Sequence, residues 1–419
     1  MKRHVPRLQS TRPRYISLLT LGAATLALVG YTIVGTTTPG SIRAADRYPP
    51  GTVLVADQSP SSSWSVSYPF TLPAGYQPPT GMATDPHDAG VWLFAQRLTP
   101  NQTVAETVFH WADGKLSTYD IDTSNSALLA GAQTPMVVDA HNIVWVGVNR
   151  NVLRIDPVAM EPIQTLPLPD VPTYDNSSGL PSPPVQGAEA EGFTSVDSIA
   201  LVDDTVMIGR RFSTVLQSMD LSTLQVTDIP LPQNTELAGL DSDLAGNSQG
   251  PLYVVLYNRD GSHELAQYGS HRWLDLTVNP CPAYAARVSG AQVIVSGADC
   301  VARGAATTSG SPTQLATVTS SQRRGTAISA DAFLVWSNTE SDIVDQNGKA
   351  TDRPALGQVV VVQHAAPMAQ RSASTPVDHT LVPITPGLTA SNGNGSLWFI
   401  PAQGGSSVGL ISAASEQRN

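Results

Sequence analysis

A repeated unit of four short β-type runs dominates this sequence, and its clearest copy spans residues 136–169. Residues 144–148 form a continuous apolar run that is too short for a helix and rich in valine, as is typical of a strand buried on both faces. Turn residues separate this run from two further extended runs, residues 152–155 and 163–168. The unit is therefore predicted to be an antiparallel meander.

Weaker copies of this unit recur along most of the chain. They begin near residues 81, 196, 237, 284, 325 and 387. A single four-stranded sheet would leave two apolar faces and two edges exposed, so the copies are expected to stack face to face around an axis. Their spacing of about fifty residues is near the usual ~40 to 50 residues of a propeller blade.

The two ends of the repeat region are expected to meet. The last copy, residues 387–411, has about two strands, whereas a complete blade has four. Residues 64–72 form an extended stretch before the first copy, and we expect this stretch to supply the outer strand of the last blade. The predicted fold is an all-β, seven-bladed β-propeller over residues 63–413, closed by its N-terminal strand. Six or eight blades remain alternatives, because the fifth and sixth copies are weakly marked.

Two segments give the repeats a family likeness: GLTASNGNGSLWFIPAQGGSSVGLI at residues 387–411 and HNIVWVGVNRNVLRIDP at residues 141–157. With the Leu-Pro pairs that end several strands, they resemble the blades of the virginiamycin B lyase (streptogramin lyase) superfamily of seven-bladed propellers. The resemblance implies a magnesium site at a channel mouth, built from a catalytic His with a nearby Glu and His. The family's Thr and Glu are replaced here by Ile400 and Pro401, and no Glu-x-His triplet occurs, so the likeness concerns the blades and not the catalytic motif.

The N-terminal region has the pattern of a membrane anchor. Residues 16–35 contain no charged side chain, and twenty residues can cross a bilayer core of ~30 Å as a helix. Residues 1–15 are basic, which favours a cytoplasmic tail. We predict a single-pass transmembrane signal-anchor helix in the cell membrane, with the C-terminal domain extracytoplasmic. A cleaved signal peptide is the rival interpretation, but its apolar region is usually only ~7 to 15 residues long.

Segments rich in Thr, Pro, Ser and Gly flank or interrupt the predicted domain. Residues 36–62 are expected to be a flexible linker, and residues 414–419 a C-terminal tail. Residues 170–192 form an insertion between the second and third copies, and loops of this kind often lie on a functional rim. The alternative is an insertion without a role.

The two cysteines are placed symmetrically about one predicted turn. Cys281 lies nine residues before Gly290, and Cys300 lies nine residues after Ala291. If a hairpin turns at these two residues, the cysteines face each other, and a disulfide there would stabilise the fold by ~3 kcal/mol in an oxidising compartment. Two buried thiols are the alternative.

The net charge argues against a nucleic-acid partner. The chain has a formal charge of −11, and leaving out the five basic residues before residue 16 makes the remainder −16. A nucleic-acid-binding surface needs the opposite sign.

Candidate site residues are few and scattered. His87 follows Asp85 in an Asp-Pro-His-Asp segment, which is either a ligand or base group or simply a turn before a strand. His141, Glu189 and Glu191 are the other rim candidates, and they gain meaning only if they converge at a channel mouth. No cofactor is predicted. Four tryptophans recur after the turns and are expected in the blade cores: Trp92, Trp145, Trp336 and Trp398.

Two classes of function fit these observations. The first is a membrane-anchored, extracytoplasmic binding or scaffolding module for an envelope protein, a glycan or a small ligand. The second is a lyase or hydrolase of the virginiamycin B lyase type, with its site at the channel mouth and a divalent cation. A channel-mouth enzyme should place at least one acid and His pair at matching blade positions. The first class is favoured, because the sequence shows no convincing pair of this kind.

Overall fold

The structure is a computed structural model that describes most of the repeat region. The described residues are 64–101, 103–121, 133–159, 163–174, 181–182, 195–237, 244–246, 250–258, 260–276, 281–297, 300–306, 316–319, 324–329, 331–336, 341–345, 347, 349–352, 358–362, 379–383, 386–391, 393–402 and 406–413. The predicted tail, anchor, linker and C-terminal tail (residues 1–15, 16–35, 36–62 and 414–419) all lie outside this set. Within the set, no helix is long and apolar enough to span a membrane.

The first half of the domain contains three complete blades and a fourth with a divided inner strand. The first strand is β1 (Trp64–Thr71). Blades 1 and 2 consist of β2 (Gly81–Thr84), β3 (Val91–Leu98), β4 (Val104–Ala112) and β5 (Lys115–Ile121), then β6 (Met136–Val138), β7 (Val144–Val148), β8 (Asn151–Ile155) and β9 (Gln164–Pro167). A small hairpin follows, made of β10 (Thr173–Tyr174) and β11 (Pro181–Ser182). Blades 3 and 4 consist of β12 (Val196–Val202), β13 (Thr205–Arg210), β14 (Val215–Asp220) and β15 (Val226–Pro230), then β16 (Thr235–Leu237), β17 (Leu244–Ala245), β18 (Leu252–Asn258), β19 (His263–Gly269) and β20 (Arg272–Asp275).

The second half completes the set of seven blades. Blades 5 and 6 consist of β21 (Ala285–Ser289), β22 (Gln292–Ser296), β23 (Val301–Ala305) and β24 (Ala316–Thr319), then β25 (Arg324–Ala327), β26 (Phe333–Trp336), β27 (Ser341–Val344) and β28 (Ala350–Asp352). A second hairpin is made of β29 (Gln358–Val362) and β30 (His379–Pro383). Blade 7 consists of β31 (Pro386–Ala390), β32 (Ser396–Pro401), β33 (Ser407–Ala413) and, from the other end of the domain, β1.

The ring is closed by the pairing of its two ends. Strand β1 runs antiparallel to β33, with Trp64 opposite Ala413 and Thr71 opposite Ser407. This confirms the prediction that residues 64–72 complete the last blade. The C-terminal part supplies three strands of that blade rather than about two, because the segment between Pro386 and Pro401 already forms the hairpin of β31 and β32.

An apolar core fills each of the seven spaces between neighbouring blades. Trp92 and Val144, for example, lie in the core shared by blades 1 and 2, and Phe70 and Phe109 lie in the core shared by blades 7 and 1. The other five interfaces have their own buried clusters, which completes the circle. The apolar strands are thus buried on both faces, as the sequence pattern predicts.

Two details differ from the sequence prediction. After an insertion, the apolar run at residues 357–364 is predicted from its pattern to return to the sixth blade. Residues 358–362 instead pair with β30 in a separate hairpin, while β27 and β28 complete blade 6. All four recurring tryptophans are buried, yet only three are equivalent. Trp336 pairs with Arg324 at the beginning of its inner strand, whereas Trp92 pairs with Ala83 near the end of its own.

Cys281 and Cys300 form a disulfide, as expected from their symmetry about the turn at Gly290. Strands β21 and β22 pair from Ser289 and Gln292 outward, and the two cysteines follow beyond the end of this ladder. Both are buried in the core between blades 4 and 5, and a Cβ on Gly297 would lie 2.5 Å from the Cys281 sulfur. The disulfide therefore lies inside the fold, not on its surface.

Removing this disulfide should weaken the fold measurably. Replacing both cysteines by alanine is expected to lower the free energy of unfolding by about 3 kcal/mol, because the unfolded chain regains the freedom of the closed loop. Urea denaturation of the oxidised protein and of the Cys281→Ala/Cys300→Ala variant measures the difference. An equal midpoint for the two would show that the bridge adds no stability.

Candidate ligand-binding channel

The inner strands of the seven blades surround a central cavity of about 560 Å³. It extends from Gln133 and Asp197, near the beginnings of the inner strands, to His87, Ala140 and Gly290 in the turns that follow their ends. We call this cavity the channel, and the end near His87 the turn end. Its volume is within the range of ~300 to 1,000 Å³ that is usual for small-molecule sites.

Hydroxyl groups are the most frequent polar groups of the channel. Every blade except the fourth contributes at least one lining residue with a hydroxyl side chain: Thr84, Thr134, Ser198, Ser289, Thr326, Thr389 and Ser391. Apolar residues such as Met82, Val137 and Leu388 lie between them. The lining can therefore donate and accept hydrogen bonds around most of the ring while it also offers apolar contacts.

Asp197 is the acidic side chain among the residues that line the channel. Its carboxylate accepts two hydrogen bonds from Arg211, both of 3.2 Å, and one of 3.1 Å from the Ser195 hydroxyl. Burial raises the pKa of Asp197 to about 6, and the opposing effect of Arg211 does not offset it. The carboxylate is thus maintained in the channel at a cost in free energy when it is charged.

Neutralising this carboxylate should stabilise the protein at neutral and higher pH. The difference between a pKa of 3.8 and about 6 corresponds to about 3 kcal/mol. Because the pKa of Asp197 is raised in the folded state, protonated Asp197 stabilises the parent protein. This contribution is complete below pH 3.8 and is lost as the pH rises through about 6. Asp197→Asn should therefore raise the free energy of unfolding at pH 8 by about 1 to 3 kcal/mol, and the gain should shrink towards pH 4.

Urea denaturation of the parent and the variant between pH 4 and 8 measures this effect. Asp220→Asn is the control, because Asp220 lies outside the channel at a turn and its pKa is lowered by hydrogen bonds from Ser222 and Thr223. A stability difference for Asp197→Asn that does not change with pH would contradict the expected titration.

Blades 5 and 7 make direct hydrogen bonds near the turn end. Arg287 of β21 donates to the carbonyl oxygen of Thr389 in β31 at 3.1 Å and to its hydroxyl, and the Ser289 hydroxyl donates to the carbonyl oxygen of Ser391 at 3.3 Å. Gly393 has a φ of 76°, and a Cβ there would lie 3.0 Å from the Gly290 nitrogen. These contacts narrow the channel on the side of blades 5 to 7.

Two of the predicted rim residues, His87 and His141, occupy matching turns of blades 1 and 2. Asp85 of blade 1 accepts hydrogen bonds from the His87 backbone N–H and the Trp92 indole, both 2.8 Å long. Asp139 of blade 2 accepts the corresponding bonds from His141 and Trp145. In both blades the aspartate is buried and fixes the turn.

The histidines of these turns are exposed. His87 lines the turn end of the channel, whereas His141 is not among the lining residues. Glu189 and Glu191, the remaining rim candidates, lie outside the described residues. Of the three candidates that the structure describes, His87 alone lines the channel, and Asp85 lies in the same turn.

A group of possible metal ligands lies in the same turn of blade 1. His110 of β4 places its Nε2 atom 3.3 Å from an oxygen of Asp85 and 3.7 Å from an oxygen of Asp88. Its ring stacks on Trp92, with the two centroids 3.9 Å apart. Burial acts to raise the pKa of Asp85, but hydrogen bonds from His110, His87 and Trp92 lower it to about 2. The sequence does not mark His110 as a site residue, because Asp85 and Asp88 lie in the turn after β2, more than twenty residues earlier in the chain.

No family model and no curated protein matches this chain. Among solved structures, the β-propeller domain of Cps50 (Swd1) from Myceliophteria thermophila is 12% identical, with 83% of this chain and 99% of that chain covered and a TM-score of 0.46. The extracellular domain of BT4673 from B. thetaiotaomicron is 13% identical, with 82% of this chain covered and a TM-score of 0.43, and this chain spans 39% of its length. Regucalcin, a calcium-binding protein from Agrobacterium tumefaciens, is 10% identical, with 66% of this chain and 88% of that chain covered and a TM-score of 0.37. These likenesses concern the fold alone: the chain is a seven-bladed β-propeller.

Proposed function

We propose that this protein is a binding module that holds a small polar ligand, of the glycan class, in its channel. The observation that supports this most directly is the hydroxyl-lined cavity of about 560 Å³ that contains the carboxylate of Asp197, which is 12% exposed. A charged group maintained in a cleft against its desolvation cost is typical of functional sites. Hydroxyl and carboxylate groups alternating with apolar side chains suit a ligand with many hydroxyl groups and apolar ring faces.

Titration calorimetry with oligosaccharides of N-acetylglucosamine tests this function, since these probes carry both hydroxyl and amide groups. Binding should be saturable and should weaken at least tenfold in Asp197→Asn and in Thr389→Val. Asp220→Asn, a substitution at an exposed turn outside the channel, should bind as the parent does. Binding that is absent, or that is unaffected by both channel variants, would contradict the proposal.

We further propose that the propeller acts on the outer side of the cell membrane, anchored by residues 16–35. The uncharged run of these residues after a basic tail supports this orientation. The disulfide between Cys281 and Cys300 is consistent with an oxidising compartment. Protease treatment of intact cells should degrade the propeller, and a variant without residues 1–35 should no longer fractionate with the membrane. Protection of the propeller in intact cells would contradict the orientation.

A scaffolding role for an envelope protein is compatible with the same placement. Crosslinking in membranes followed by affinity purification of the full chain would identify such a partner. If the chain stays monomeric and uncrosslinked while it still binds the saccharide probe, ligand binding alone is its function.

A lyase of the virginiamycin B lyase type is the second candidate function. The observation that favours it is the position of His87 at the turn end of the channel, where a substrate could meet an imidazole. Incubation of the purified chain with streptogramin B and other cyclic depsipeptides, with and without magnesium, tests it. Turnover that is lost in His87→Ala would replace the binding function by catalysis.

A further inference from the structure

We propose that Asp85, Asp88 and His110 form a binding site for a transition-metal dication such as Zn²⁺ at the inner turn of blade 1. This inference does not depend on the function of the channel. The side chains come from the turn after β2 and from β4, so the blade, and not the local sequence, brings them together.

Two of the three distances between the ligand atoms are short enough for both atoms to bind one small metal ion. The atoms all lie within 4.8 Å of one another. Zinc binds nitrogen and oxygen ligands at about 2.0 to 2.2 Å. With ligands at about 2.1 Å, the distances of 3.3 and 3.7 Å from His110 to the two carboxylates correspond to angles of about 104° and 124° at the metal, close to those of a tetrahedral ion.

The charges of the group call for a cation. Asp85 is 1% exposed, and the imidazole of His110 lies within 4 Å of both carboxylates. Within the described part of the chain, neither aspartate forms an ion pair with a lysine or arginine. The Nε2 atom of His110 is buried and lies between the two carboxylates, so it is directed at the place where a shared cation would bind.

Blade 2 shows which of these features the fold itself requires. Its turn has the same bond between a buried aspartate and a tryptophan, made by Asp139 and Trp145. Three residues after that aspartate stands Asn142, and opposite Trp145 across the strands stands Arg154, where Trp92 has His110. The turn thus forms without a second carboxylate and without a histidine opposite the tryptophan, and the fold does not account for either in blade 1.

Gly90 keeps the space beside the ligands open. Its backbone N–H donates to one oxygen of Asp88, which orients the other oxygen towards His110. A Cβ at this position would lie 2.4 Å from that first oxygen and 3.0 Å from the Nε2 atom of His110. The blade 2 residue two positions before the tryptophan, Ile143, has the side chain that blade 1 lacks.

Calorimetric titration of the full chain with zinc chloride, after treatment with a chelator, tests the site. One equivalent of zinc should bind, and the double variant Asp88→Asn/His110→Arg, which installs the blade 2 residues, should bind at least 100-fold more weakly. His87→Ala is the matched control, because this neighbouring histidine is exposed and is not a ligand, so its affinity for zinc should equal that of the parent. Cobalt(II) added instead of zinc should give the intense visible absorption of a tetrahedral complex.

Two results would overturn the site: no saturable zinc binding at millimolar concentration, or equal binding by the parent and the double variant. Circular dichroism shows whether the double variant is folded. If it is not, Asp88→Asn alone replaces it, since the asparagine oxygen can still accept the Gly90 N–H bond, and it should weaken zinc binding at least tenfold. Failure of the saccharide probes to bind would leave this result unaffected.

Discussion

Removal of β1 is expected to destabilise the propeller more than any other single change, by at least about 5 kcal/mol. The strand contributes several large apolar side chains, and burying one such side chain is worth about 1.5 to 3 kcal/mol. Its loss also leaves β33 as an unpaired edge. Because β1 contributes side chains to the cores on both sides of blade 7, its removal should destabilise both of these cores.

A bulge in β1 explains why one strand contacts both neighbouring blades. The register against β33 shifts by one residue between Ser67 and Phe70, and such a shift transfers the following side chains to the other face of the sheet. Trp64 and Val66 accordingly pack into the core between blades 6 and 7, whereas Phe70 packs between blades 7 and 1. Phe70 stacks on Trp111 of blade 1, with the two centroids 4.5 Å apart.

Replacing the eight residues of β1 by a Gly/Ser segment of equal length tests the closure. Urea denaturation followed by tryptophan fluorescence, together with gel filtration for aggregation through the exposed edge, measures the outcome. The control replaces the five residues of β29 in the same way, because that strand lies in a hairpin outside the blades and should matter much less. Equal stability of the β1 variant and the parent would mean that the ring does not need its N-terminal strand.

The architecture could be predicted from the sequence because it depends on periodic features. Apolar runs such as Val144–Val148 mark strands buried on both faces, and the missing strand of the last copy indicated the closure by residues 64–72. The symmetry of Cys281 and Cys300 about Gly290 predicted a pairing that needs only local hairpin geometry. The strands of blade 6 were harder to predict, because the apolar segment at 358–362 has the sequence of a blade strand although it pairs with β30 outside the blade.

The candidate sites could not be predicted in the same way, because they depend on distances between strands. Asp197 occupies an ordinary position in a strand, and only the closed ring places it in a channel. His110 lies opposite Trp92 through the register of β3 and β4, which pairs residues 18 positions apart in the chain. Asp85 was predicted as a rim candidate from the sequence. In the structure, its hydrogen bonds to the His87 backbone and the Trp92 indole fix the turn of blade 1.

Asp139 allows the strength of this turn-fixing role to be measured without the metal ligands of blade 1. Its carboxylate accepts hydrogen bonds from the backbone N–H groups of His141 and Ile143, at 2.8 and 2.9 Å, and from the Trp145 indole at 2.9 Å. Hydrogen bonds to a charged acceptor are worth about 1.5 to 3 kcal/mol each, and a buried donor left alone adds a penalty. Ile143 and Trp145 are both buried, so water cannot easily replace the lost acceptor.

Asp139→Ala is therefore expected to lower the free energy of unfolding by about 4 kcal/mol. Asp139→Asn should cost roughly half as much, since one amide oxygen can still accept from the backbone or from the indole but carries no charge. Near-ultraviolet circular dichroism should report a changed environment of Trp145, and urea denaturation gives the energies. Asp220→Ala is the matched control, because Asp220 also accepts backbone N–H bonds at a turn but is exposed, and its loss should have a clearly smaller effect. If the three variants were equally stable, the buried bond to the indole would contribute nothing, and the recurring Asp and Trp pair would have to be explained by something other than the stability of the turn.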